Sequence, residues 1–180
     1  MPAFRKEVET FYDEILAKES TSRISLDWLA LFFSFILLAI THPSRFPGQY
    51  PSQMTPDTTL LMPPDTPIKW YNAALSCLSQ DGMRLRSICA LQAIILLDFY
   101  EADAEVKLSR LRSAITGAQL MGLHRLGPDS SSGTYPIALC EREIQKRIWW
   151  CLVVKDWNGA VEEHGYIVQP SLCSTPHPCN

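Results

Sequence analysis

A chain of 180 residues is long enough for one domain with its own hydrophobic core. Its 47% hydrophobic and 19% charged content excludes wholesale disorder. The formal net charge of -3 argues against autonomous binding to DNA or RNA, because neutralising phosphates takes a basic surface.

The first residues mix acids and bases and lack the apolar core of a signal peptide. Phe4, Val8, Phe11, Tyr12, Ile15 and Leu16 recur at three- and four-residue spacing, which predicts a first amphipathic helix. Ser25 is the expected N-cap of a second helix running through Ile40. The apolar run 26–40 is shorter than the roughly 20 residues a bilayer span requires, and it contains Asp27 and Ser34. It reads as a buried core helix, with no membrane partner expected. Residues 43–66 hold Pro43, Pro47, Pro51, Pro56, Pro63 and Pro64, and are expected to form a long loop that is poorly ordered between Met54 and Pro64.

Thr66 before Pro67 marks the next helix start, Thr66 as cap and the proline at the first helical position. Ile68, Tyr71, Leu75 and Leu78 give that helix its apolar stripe. The segment 85–100 is apolar almost all round, which predicts a helix in the middle of a bundle. Gln92 and Asp98 are its polar exceptions, expected to hydrogen-bond at the packing surface. A helix over 104–121 should bury Leu108, Leu111, Ile115 and Ala118 and turn Lys107, Arg110 and Arg112 outward. Gly122 suits a left-handed C-cap, with Leu123 folding back beside it. After a turn-rich loop at 127–136, a helix over 137–163 begins charged and becomes apolar beyond Arg147, so its second half should be enclosed. The tail from Tyr166 has no helix period. Without strand alternation, the expected architecture is all-α: a bundle of about six helices in stacked hairpins, with no sheet. Its parts would be a helical pair at 1–42, the proline-rich loop at 43–66, the core at 67–165 and the irregular tail at 166–180.

Catalytic constellations are missing: there is no phosphate loop, nucleophile elbow or metalloprotease His-Glu spacing, and no enzyme is expected. His124 with Arg125 reads as a cation at a helix C-terminus, where exposed carbonyls favour positive charge. Arg142, Lys146 and Arg147, like Arg110 and Arg112, read as solvated helix faces. Trp149, Trp150 and Trp157 read as core aromatics. Cys77, Cys89, Cys140 and Cys151 read as small buried hydrophobes. Cys173, His177 and Cys179 crowd one tail without the closed ligand set of a zinc site. Asp156 lies in an apolar run, so its carboxylate should be at least half buried and bonded to a neighbouring helix. Gln92, His124 and Arg125 are the candidate partners.

Three segments together carry a resemblance: LQAIILL from Leu91, LRSAITGAQLMGLHR from Leu111, and KRIWWCLVVKDW from Lys146. In this order and spacing they resemble the fungal-specific transcription factor domain, also called the middle homology region or xylanolytic activator regulatory domain. The likeness extends over most of the chain from Trp28 to Asn180. It marks Gln92, Leu123, His124, Arg125, Arg147, Trp149, Trp150 and Asp156 as motif residues of structural role. The resemblance implies a nuclear protein of RNA polymerase II transcription. Protein partners or self-association would act through helix surfaces, and a small-molecule effector is a further implied partner. The family binds DNA through an N-terminal binuclear zinc cluster, six cysteines packed into about forty residues. The six cysteines here, from 77 to 179, form no C-x2-C pair. This chain is therefore expected to bind neither zinc nor DNA by itself, and to be a truncated member. Two other readings remain: a helical ligand-binding or catalytic protein built on the tryptophans and Asp156, and a membrane-associated one.

Overall fold

The computed structural model describes residues 5–10, 13, 25–42, 63–80, 85–128, 136–163 and 165–179. Five α-helices carry the described fold: α1 (Leu26–Thr41), α2 (Thr66–Ser79), α3 (Ile88–Leu97), α4 (Ala104–Leu120) and α5 (Pro136–Glu163). Short 3-10 turns stand at Leu123–Arg125 and Pro170–Leu172, and no strand occurs among the described residues. The fold is all-α. Residues 5–10 are helical, in the span expected for a first helix; most of that helix, and the proline-rich insert through residue 62, lie outside the described residues.

Capping sets the helix starts. Ser25 Oγ accepts from Trp28 N at 3.2 Å, and Ser87 Oγ accepts from Ala90 N at 3.0 Å. Asp103 Oδ1 takes both Glu105 N and Val106 N. Each cap satisfies amides that have no partner inside the first turn. The start of α2 corrects the sequence expectation. Thr66 is already helical, and Asp65 precedes it without a side-chain cap bond. Pro67 supplies the start, since its fixed φ and missing N–H suit a first turn.

The two most apolar helices are the two most enclosed. α1 packs against α2 and α3, and the buried Ser34 hydroxyl is satisfied by donating to Ala30 O at 2.7 Å. α3 touches all four other helices, and no residue from 88 to 98 is exposed. This is the central position that its all-round apolar sequence requires. On α2 the buried positions are Tyr71, Ala74 and Leu78, whereas Ile68 is 41% exposed, so the stripe starts one turn later than expected. On α4, Leu108 and Leu111 are only partly covered; the buried face is Ala114, Ile115, Gly117 and Ala118. Small residues let this helix approach closely. A Cβ built on Gly117 would sit 2.1 Å from the Leu85 carbonyl oxygen.

The second half of α5 is not enclosed on every side. Ile148, Trp149, Leu152 and Val153 are buried, but Val154 is 51% exposed and Trp157 38%. The helix packs on α4 and α3 by one face only, and part of the remainder is covered by the irregular tail. Among the described residues, no helix is long and apolar enough to cross a membrane.

Candidate functional site

The residues singled out in the sequence converge where α4 ends, α5 runs past, and the tail returns. Gly122 adopts φ 79°, ψ 12°, the left-handed conformation that glycine tolerates without a Cβ clash. That turn buries Leu123 and ends α4, so the carbonyls of the residues after it lie beyond the ladder of that helix. Other elements satisfy them. Thr175 Oγ1 donates to Leu123 O at 2.5 Å and accepts from Leu126 N at 3.1 Å. Ser174 N donates to His124 O at 2.9 Å. Arg142, from α5, donates to the carbonyls of Leu126, Gly127 and Pro128, the latter two at 2.8 and 3.0 Å.

The expected solvated face for Arg142 and Lys146 is thereby corrected. Arg142 is spent on the carbonyls of a turn that has no ladder partner, and Lys146 is buried 3.7 Å from Glu143. Arg147 alone of the three keeps an exposed side chain.

The tail is a strap laid antiparallel to α5. Near the helix end, Asp156 accepts Ile167 N at 2.9 Å and Val168 N at 2.8 Å on Oδ2. Trp157 Nε1 donates to Val168 O at 3.2 Å. Further back, Trp150 Nε1 donates to Pro176 O at 3.0 Å, and its ring stacks on His177 with centroids 4.1 Å apart. Nearest the helix start, Glu143 accepts from Cys179 N at 2.9 Å, while Arg147 donates to Cys179 O at 3.0 Å. Five side chains of one helix thus serve as hydrogen-bond partners for a segment whose own secondary structure is a single 3-10 turn.

Asp156 is 4% exposed, so its expected burial holds, but its partner is different. Neither Gln92, His124 nor Arg125 reaches it; two backbone amides of the strap do. The physical reason is general. An irregular segment pressed onto a helix must find acceptors for its N–H groups, and a carboxylate offers two oxygens. The Gln92 side chain is half-buried on α3 and bonds to no other described residue, and Arg125 is exposed.

The His124 ring lies against Trp149, centroids 5.9 Å apart, with His124 Nδ1 and Trp149 Nε1 both buried and without a hydrogen-bond partner among the described residues. Burial, and then the neighbouring Arg125, hold His124 below its ordinary 6.5. That direction disfavours the charged ring, and Arg125 is the exposed cation of the pair. Trp149 is fully buried core, whereas Trp150 and Trp157 are strap clamps at the edge of it.

A second polar cluster joins α2 to α4. Tyr71 Oη donates to Glu101, whose other oxygen accepts Ala102 N and Asp103 N at 2.9 and 3.0 Å. Arg110 pairs with Glu101 at 3.2 Å and lies over the Tyr71 ring, 5.3 Å from its centroid. Arg110 was expected to face outward; the partly buried Glu101 carboxylate and the Tyr71 ring turn it in. Asp98, as expected of a polar residue in an apolar helix, is bonded across the packing surface, by Lys155 of α5.

Desolvation raises the thiols of Cys77, Cys89, Cys151 and Cys173, in keeping with inert, partly buried cysteines. Cys140 departs from the expected pattern and is exposed. Among the described residues, no three of His, Cys, Asp and Glu gather as metal ligands. Sequence reasoning missed Thr175, Glu143 and Gly117. The signal for the first two was indirect: a tail of alternating Ser, Thr, His and Pro has amides and carbonyls that some neighbour must satisfy.

Over 124 residues the chain is 32% identical to a probable transcription factor, lepB, of Aspergillus flavus. The match takes in 62% of this chain and 22% of that protein, so the chain spans about a fifth of the length of the curated relative it matches. The chain is thus a sequence relative of a fungal protein described as a transcription factor. No protein-family model matches it, and no solved structure matches it.

Proposed function

We propose that this chain is a regulatory domain of the middle-homology type from a fungal transcription factor, acting in the nucleus on RNA polymerase II transcription. The observation that carries the reading is the 32% identity over 124 residues to a protein described as a transcription factor. The geometry supports it in a specific way. Leu123, His124, Arg147, Trp149, Trp150 and Asp156, which carry the resemblance in sequence, meet around one strap-and-corner assembly. Residues of that kind preserve a scaffold, and the scaffold presents helix faces to other proteins or to a second copy. In this reading the domain performs no catalysis. DNA contact and zinc belong to a module beyond the region described.

The test is a tethering assay. The full chain is fused to a heterologous DNA-binding domain and expressed in a fungal cell carrying a matched reporter. A reproducible change in reporter output, up or down, is expected. It should be weakened by Asp156→Ala, with Ser76→Ala, at an exposed position of α2, as a control. A fusion that accumulates in the nucleus, occupies its site and leaves the reporter unchanged would refute the reading.

A further inference from the structure

Between α3, α4 and α5 lies a half-open cleft of about 240 Å³. Its floor is aliphatic: Ile94 and Ile95 from α3, Leu108 and Leu111 from α4, and Leu152 from α5. Its rim is cationic: Lys107, Arg110 and Lys155 stand against a single carboxylate, Asp98. We propose that this cleft binds a small amphipathic monocarboxylate, its chain on the aliphatic floor and its carboxylate at Lys107.

The charges at the rim are not equivalent. Lys155 is bonded to Asp98, and Arg110 to Glu101. Lys107 is partly buried yet has no ion pair with a described residue. The cleft therefore presents one uncommitted cation beside an apolar floor. A cationic ligand finds no free carboxylate there, because Lys155 holds Asp98. A neutral alkyl ligand fills the floor but leaves the ammonium of Lys107 without a counter-charge among the described residues. A carboxylate answers it with a charge-assisted hydrogen bond. Ligand sites combine these same elements, a mostly apolar concave wall with few polar groups that fix orientation. The volume falls just below the usual range of such sites, which suits a small ligand. A ligand here would touch three helices at once and hold α4 against α5.

The proposal deepens the regulatory reading, on which its biological sense rests; binding by the purified chain is measured without reference to transcription. The probe is sodium octanoate, titrated into the full chain and followed by methyl NMR, with 1-octanol and octylamine as matched controls. Saturable shifts are expected at Ile94, Ile95, Leu108 and Leu111, together with a rise in Tm, since a ligand bound only by the folded state stabilises it. Octylamine and octanol should bind at least tenfold more weakly. Lys107→Glu should weaken octanoate about tenfold or more, and Lys107→Met should weaken it to the level of octanol. Neither substitution removes an ion pair of the described fold, and circular dichroism checks that both variants fold. Any of three results overturns the proposal: shifts confined to other residues, octylamine binding as well as octanoate, or equal affinity in the two Lys107 variants and the parent. If octanoate binds as described while the tethered reporter stays silent, the site stands and the transcriptional reading falls.

Discussion

The Asp156 carboxylate and the Val168 amide nitrogen lie 2.8 Å apart, and both residues are buried. The same oxygen takes the amide of Ile167 at 2.9 Å. One side chain near the end of α5 therefore fixes the point at which the tail turns back along the helix. Everything further down the strap, from Thr175 at the corner to Cys179 beside Glu143, is registered from that point.

Asp156→Ala removes the acceptor for two amides and leaves the buried one at Val168 unanswered. The expected loss is about 1–3 kcal/mol of unfolding free energy, read from urea titration. A variant as stable as the parent would contradict the assignment.

Thr175→Val keeps the shape of the side chain but deletes one bond to Leu123 O and one from Leu126 N. A destabilisation of about 1–2 kcal/mol is expected, and amide exchange at Leu126 should accelerate in the variant. Unchanged exchange there would mean that the hydroxyl is not the link between strap and corner.

Three glycines should respond differently to alanine. At Gly117 the new methyl meets the Leu85 carbonyl oxygen at 2.1 Å, so backbone must shift, at a cost of about 1–3 kcal/mol. At Gly122 space is open but φ is +79°, and the strain is about 1 kcal/mol. Gly159 lies within α5 with nothing within 4 Å of a built Cβ, so alanine should stabilise by about 0.5–1 kcal/mol. Thermal melts of the three variants give the order directly, and a stabilised Gly117→Ala would refute the close approach of α4.

Two groups should make stability sensitive to acid in separate windows. The hydrogen bond from Tyr71, then the Asp103 amide, hold Glu101 below its ordinary 4.5. The unfolded chain protonates first, so Glu101's contribution is full above 4.5 and is lost as pH falls through the folded value. His124 is held below 6.5, so the unfolded chain also binds its proton first. Stability should fall as pH drops from 6.5 toward the folded His124 value, and fall no further on that account below it. Urea midpoints across the two ranges are the measurement: Glu101→Gln should flatten the lower limb and His124→Gln the upper one.

Thiol labelling of the native chain should modify Cys140 and Cys179 first, since both are exposed. Cys77, Cys89 and Cys151 should lag, because burial raises their thiols and limits access. Rapid labelling of Cys151 in the folded protein would contradict the packing of α5.

The helices were legible because their signals are local. Ser25 before an apolar run, Gly122 after one, and the all-round apolar 88–97 segment each announce a cap, a stop or a central helix from a few neighbouring residues. The burial of Asp156 was legible too, as a carboxylate among tryptophans and valines. Its partner was not, because Ile167 and Val168 contribute only backbone amides, and every residue but proline has one. Arg110 and Arg142 were misread for a related reason. Helical spacing places both on a polar stripe, and only the tertiary fold brings a carboxylate or a set of bare carbonyls to that stripe.

The strap also imposes an order on synthesis. Leu123 meets its hydrogen-bond donor 52 residues later in the chain, at Thr175, and α5 meets its own cover only at Ile167 and beyond. While the ribosome is still making this stretch, the corner after α4 has its contacts to Arg142 and Trp149 but not those to the strap, and the Trp150–Trp157 edge of α5 lacks the strap carbonyls it bonds to. The nascent chain therefore holds that tryptophan edge open until residues 167–177 emerge, and the bonds from Ser174 and Thr175 to the corner form only after α5 is made.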